Sequence, residues 1–213
     1  MNIGLNITSI TDLKFPLIVL CFVVALGSYF LCHSKKDWAY LATAMGLTMV
    51  SDFFLVVRHS YTIGVFVFCF VHMAYILRVG GCAKRIVTTV LCGLPILFLT
   101  IIFSVDTIFY FAAVYAALFI QNLILHYRYR RQNGPNSRIM LYGLVLFALC
   151  DICVLLYNLP RFVPPLANIA LIQDIADRTG IWIWIFYAPS QVLLSISVVR
   201  GKLMSCGSNC NCE

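Results

Sequence analysis

The sequence predicts an all-α fold: a polytopic membrane helix bundle of seven transmembrane helices, with its N-terminus outside or lumenal and its C-terminus in the cytosol. Three observations carry this expectation. Of 213 residues, 62% are hydrophobic and only 11% are charged, too little charged surface for a soluble domain of this size. The apolar residues fall into blocks of roughly 17 to 20, the length that crosses a bilayer core at about 1.5 Å rise per residue. Cationic residues alternate between the two sides of those blocks.

Taken in order, the blocks are Phe15–Cys32, Trp38–Val57, Tyr61–Val79, Ile86–Ser104, Thr107–Leu125, Ile139–Leu159 and Ile181–Val199. They are continuously apolar and do not alternate with period two, which favours helices over a barrel. The first block has no basic segment before it and runs into Cys32-His33-Ser34-Lys35-Lys36 without a small-x-small cleavage site. It is therefore expected to remain as a span. Trp38 and Tyr40 mark the inner interface of the second block, and Trp182 and Trp184 the outer interface of the last.

The basic residues set the expected orientation. Lys35, Lys36, Arg78, Lys84, Arg85, Arg128, Arg130, Arg131, Arg138, Arg200 and Lys202 fall on one side, and only Lys14, Arg58, Arg161 and Arg178 on the other. Eleven against four, with no loop breaking the alternation, places the richer side in the cytosol. The net charge of +7 then reflects juxtamembrane residues beside anionic lipid and implies no nucleic-acid partner.

The chain reads as one domain, residues 1–213, closed by a cysteine-rich cytosolic tail, residues 200–213. Its longest expected connection is Pro160–Gly180, read either as an irregular loop or as a short interfacial helix over Leu166–Ile175. The ten cysteines form no disulfide framework. Most behave as small apolar residues, while Cys206, Cys210 and Cys212 suit reversible palmitoylation better than metal binding. Asn6-Ile7-Thr8 is a glycosylation sequon. The residues imply neither a cofactor nor a metal.

Function is expected where ionisable groups interrupt the apolar spans, because each costs several kcal/mol unless it is paired or wetted. Asp52, His72 and Asp151 are these groups, with Tyr75, Tyr115, Gln121, Asn122, Tyr187 and Gln191 as uncharged polar companions. Counting helical rise from the outer end gives Asp52 about 8 Å, Tyr187 about 9 Å, Asp151 about 12 Å, Gln191 about 15 Å and His72 about 16 Å of depth. Four helices thus bring polar residues to one level, facing one expected cavity. His72 and Tyr75 share a helix face, as do Tyr187 and Gln191, and Pro189 is expected to kink the last helix towards them.

A carboxyl group in a low-dielectric interior can keep its proton and serve as a general acid, while a second in a wetter spot stays ionised and activates water. This division suits acid-catalysed opening of an acetal-like or enol-ether bond through an oxocarbenium ion. It suits proton transport equally well.

The order of motifs resembles the lysoplasmalogenase (YhhN-like) membrane protein family. The resemblance lies in Lys14-Phe15-Pro16-Leu17, in Ser51-Asp52, in Gly64 to Phe68 leading to His72 and Tyr75, in Gly143 to Phe147 leading to Cys150-Asp151, and in Tyr187-Ala188-Pro189-Ser190-Gln191. It implies hydrolysis of the vinyl-ether bond of lysoplasmalogens to a fatty aldehyde and a glycerophospho-base. It also implies a lysophospholipid substrate, and catalytic roles for Asp52 and Asp151. His72, Tyr75, Tyr187 and Gln191 would position water or steady the acid, and Lys14, with Arg58, would meet the phosphate.

Three departures stand out. The family usually has eight spans and this sequence begins at the Lys-Pro helix. Phe15 separates Lys14 from Pro16, and Ser51 and Cys150 stand where glycine and serine are common. The expected location is a multi-pass protein of the endoplasmic reticulum or plasma membrane. A seven-helix receptor, or a transporter of lipids or small molecules using the same polar pocket, is the alternative reading.

Overall fold

Seven helices follow one another in the computed structural model, which describes residues 7–199 except His33, Val105, 130–133, Pro164, Leu166 and Ala167, with only the backbone described for residues 7–14, Gly134 and Pro135. They are α1 (Ile7–Gly27), α2 (Lys35–Asp52), α3 (Tyr61–Arg78), α4 (Ala83–Ile102), α5 (Ile108–Tyr129), α6 (Gly134–Phe162) and α7 (Ala170–Ile196). Among the described residues there is no strand, and a single antiparallel bridge joins Cys32 to Val199. Among the described residues six helical stretches are long and apolar enough to cross a membrane, beginning with Lys35–Val57; the described apolar part of the first helix, Phe15–Phe30, is shorter. The chain has the architecture of a multi-pass membrane protein.

Consecutive helices run antiparallel, as contacts at the two ends show. At one end the Cys32–Val199 bridge joins the segments following α1 and α7. There Asn136 of α6 donates to the Val199 carbonyl at 2.9 Å. Arg78, closing α3, donates to Asp37 of α2 at 2.6 Å and to Ser197 Oγ at 2.7 Å. At the opposite end Arg161 of α6 reaches Tyr61 of α3, and the Phe162 ring meets Phe109 of α5.

Local sequence explains several boundaries. Ser34 caps α2 by accepting from the Asp37 amide at 3.3 Å, and Asp37 puts a carboxylate in the first turn where the helix dipole favours it. The second helix does not continue regularly to Val57. After Asp52 it widens into a π-helical turn, Phe53–Val57, a feature frequent at functional sites. The chain then reverses through His59, which has φ +52°.

The connection between α6 and α7 corrects the sequence expectation. Helix fills most of Pro160–Gly180, and residues 170–175 belong to α7 instead of to a separate interfacial helix. The sixth helix runs through Pro160 to Phe162, and α7 is continuous from Ala170. Hydropathy ends the last span at Ile181 because Asp174, Asp177 and Arg178 are charged. Polar residues prolong a helix readily, here with an Arg178–Asp174 pair at 2.9 Å one turn apart.

The main core joins α1, α2, α3, α5, α6 and α7 through residues such as Ile18, Met45, Val71, Phe119, Phe147 and Leu194. A smaller cluster seats α4 against α3 and α5 through Ile86, Cys69, Val114 and Leu118. The outer face of α4, including Leu91, Phe98 and Ile101, is exposed, as expected of a helix facing lipid. Close helix contact uses small residues. A side chain at Gly93 would press on Val114, and one at Gly143 on Leu194.

Candidate active site

Asp52 closes α2 and is buried, with 5% of its surface exposed. Its neighbour Ser51 fixes the level of α2 against α3 by donating its hydroxyl to the Gly64 carbonyl at 2.6 Å. That approach needs a residue without a side chain at position 64, where a Cβ would meet Leu55 and the Ser51 carbonyl. The Asp52 carboxylate faces α7, whose Tyr187 donates its phenol hydroxyl to Oδ2. Two residues later Pro189 lacks an amide donor, which leaves the Ile185 carbonyl without its helical partner. The Ser190 hydroxyl bonds the Tyr187 carbonyl at 2.7 Å in the same turn.

Asp151, half-buried on α6, has a matching partner. Tyr115 of α5 donates its phenol hydroxyl to Oδ2 at 2.5 Å. Two carboxyl groups on different helices are thus each held by a tyrosine from a third and a fourth. Cys150, which precedes Asp151 on α6, is buried in the main core.

His72 completes the cluster. Its ring is fully buried, stacks on Phe119 with centroids 4.4 Å apart, and meets the edge of Tyr115 at 4.9 Å. Asn122 Nδ2 lies 3.2 Å from Nδ1. With that amide as donor, Nδ1 accepts and the ring hydrogen sits on Nε2, which has no protein partner among the described residues. Phe147 touches both His72 and Tyr187 and so joins the two carboxylate–phenol pairs. Below them, Asn122 and His126 extend the polar interior, with His126 Nδ1 3.0 Å from the Asn122 carbonyl.

The other sequence candidates fall in different places. Gln191 is fully buried one turn from Tyr187; its amide nitrogen approaches Ser190 Oγ at 3.5 Å and its Oε1 has no partner among the described groups. Buried polar atoms in this state normally hold water. Tyr75 is fully buried but directs its hydroxyl to Met45 Sδ at 3.5 Å, away from both carboxylates. Arg58 is exposed at the end of the π turn. The Lys14 side chain, the Asn6 sequon position and the cysteines of the tail lie outside the described residues. Among the described residues no group of three or more His, Cys, Asp or Glu side chains is placed to hold a metal.

Sequence reasoning placed Tyr115 among the polar companions but not in the site. The signal was available, since Tyr115, Phe119 and Asn122 follow at i, i+4 and i+7 and so share the face of α5 that meets His72.

A model of the YhhN family matches residues 13–198. The chain belongs to the YhhN family. The match covers the bundle from α1 to the end of α7, both carboxylate–phenol pairs and His72 included. YhhN proteins are lysoplasmalogenase-like. Neither a curated protein nor a solved structure matches the chain.

Proposed function

We propose that this YhhN-family protein is a membrane-embedded hydrolase that cleaves the vinyl-ether bond of lysoplasmalogens, with Asp52 and Asp151 as its general acid–base pair. The observation that carries the reading is the pairing itself: two carboxyl groups from distant parts of the chain, each braced by a tyrosine and linked through the Phe147 and His72 rings that touch those tyrosines. In a low-dielectric interior a buried carboxyl group such as Asp52 ionises reluctantly and a more accessible one ionises more easily, so one holds a proton while the other accepts one.

In the reaction, one carboxyl group delivers its proton to the vinyl carbon away from the ether oxygen. The carbon bonded to oxygen becomes an oxocarbenium centre. Water adds there and gives a proton to the other carboxylate. The resulting hemiacetal breaks its bond to the glycerol oxygen, releasing a fatty aldehyde and a glycerophospho-base with one water consumed. Tyr115 and Tyr187 hold the two carboxyl groups in place, and the unpartnered atoms of His72 and Gln191 are suited to water. The basic end bearing Arg78 and Arg138 faces the cytosol, which puts the carboxylates nearer the lumenal leaflet of the endoplasmic reticulum or the outer leaflet of the plasma membrane.

The test is aldehyde release by purified protein given a lysoplasmalogen in heavy water. The product should carry one deuterium on the carbon next to the aldehyde. Absence of aldehyde, together with solute movement across protein-loaded liposomes, would replace the hydrolase with a transporter. Glycosylation or protease mapping of the N-terminus tests the orientation separately.

A further inference from the structure

A surface cleft of about 430 Å³ opens at the end of the bundle where the α2–α3 turn, the start of α5 and the end of α6 converge. Its walls carry groups of both signs. Arg161 lies over the Tyr61 ring at 4.6 Å and donates to the Tyr61 hydroxyl at 3.0 Å. Among the described residues no carboxylate pairs with it. Across the cleft, Asp106 uses Oδ1 to cap α5 through the Ile108 amide at 2.9 Å. Phe162 and Tyr61 pack edge to face with centroids 6.5 Å apart, lending aromatic surface to the same cleft. His59 adds an imidazole on the same rim.

The position of the cleft relative to the carboxylates follows from the bond that levels α2 with α3. Ser51, beside Asp52, is tied to Gly64. Tyr61 precedes Gly64 by three residues, which sets it about 4.5 Å further towards the end of the bundle. The cleft therefore begins about one helical turn beyond Asp52, a separation that a glycerol phosphate can bridge.

The geometry points to this cleft as the binding site for the zwitterionic phospho-ammonium headgroup of a lysophospholipid: phosphate on Arg161, the Tyr61 hydroxyl and His59, and ammonium between Asp106 and the Tyr61–Phe162 rings. A guanidinium matches phosphate oxygens with paired donors, and an ammonium is drawn both to a carboxylate and to an aromatic face. The volume lies in the range of small-molecule sites. A second basic site at this end, Arg58, does not line the cleft. This inference rests on the lysophospholipid reading proposed above and adds to it the residues that select the headgroup.

Binding of a radiolabelled, non-hydrolysable 1-alkyl lysophosphocholine to the full chain in nanodiscs tests it without requiring turnover. Arg161→Gln should weaken this ligand about 10- to 100-fold while leaving a phosphate-free 1-alkylglycerol bound as in the wild type. Equal binding of the lysophosphocholine by variant and wild type, or equal loss of both ligands, would overturn the assignment. Asp106→Asn should weaken the lysophosphocholine several-fold and spare an alkyl lysophosphatidic acid, which lacks the ammonium; equal weakening of the two would remove the ammonium half. Displacement of the lysolipid from wild type by millimolar inorganic phosphate alone would reassign the cleft to free phosphate. A wild type that binds as described but releases no aldehyde would refute the hydrolase and leave the headgroup site standing.

Discussion

Replacing Tyr187 or Tyr115 by phenylalanine removes one hydroxyl and almost nothing else, so these variants isolate what the phenols do for Asp52 and Asp151. A hydrogen bond to a charged group is worth about 1.5–3 kcal/mol. If that bond holds a carboxyl group in its working position, each variant should lose about 10- to 100-fold in aldehyde release, since about 1.4 kcal/mol is tenfold in rate. Steady-state rates with matched thermal denaturation would separate this from loss of folding. Tyr75→Phe is the contrasting case. Among the described residues its hydroxyl meets Met45 Sδ and neither carboxylate, so the rate should stay within about threefold of wild type. The carboxylates themselves were legible in the sequence because a charge inside an apolar run is costly wherever the helix points. Their phenol partners were less so. A tyrosine in a span is as useful for packing as for bonding, and only the facing of α3, α5 and α7 decides between Tyr75, Tyr115 and Tyr187.

At the scale of elements, the strongest fastening is at the end opposite the proposed headgroup cleft. Arg78 is almost fully buried and holds Asp37 through two nitrogens, at 2.6 and 3.1 Å, while also bonding Ser197 Oγ and its carbonyl. One guanidinium thus ties α2, α3 and the segment after α7. Asp37 is about a third exposed, so removing its charge leaves the buried guanidinium uncompensated, while removing Arg78 leaves a carboxylate that water partly reaches. Arg78→Met or Asp37→Asn should therefore destabilise the bundle, by less than the roughly 3–5 kcal/mol of a fully buried pair because water reaches Asp37, measurable as a lowered denaturation midpoint in detergent. From sequence, Arg78 was one more cation setting orientation, because a charge at a span end reads alike whether it faces lipid headgroups or an aspartate of a neighbouring helix. Helix ends show the same limit. Hydropathy locates the apolar middle of α7 but not its charged first turns, and it passes through the π turn after Asp52 because Phe53 to Val57 are apolar in either geometry.

The molecule as a whole divides into a clamped end and an end with a cleft, with the carboxylates between them and nearer the cleft. The number and order of helices were legible because apolar length and basic alternation are constraints the bilayer imposes on any chain. Which helices touch was not, since α6 packs on α7 and α3 on α5 through side-chain shape and small residues that hydropathy does not weigh. The central claim concerns the whole bundle, because α2 and α6 must bring one carboxyl group each to a single reaction. The measurement that tests it most directly is a double-mutant cycle on lysoplasmalogen cleavage, comparing Asp52→Asn, Asp151→Asn and the double variant at equal folded protein. Groups that act as one unit are strongly non-additive. Each single variant should lose about 10²- to 10⁴-fold, and the double should be no slower than the poorer single. Single variants that keep near wild-type rates, or losses that multiply in the double, would contradict the account.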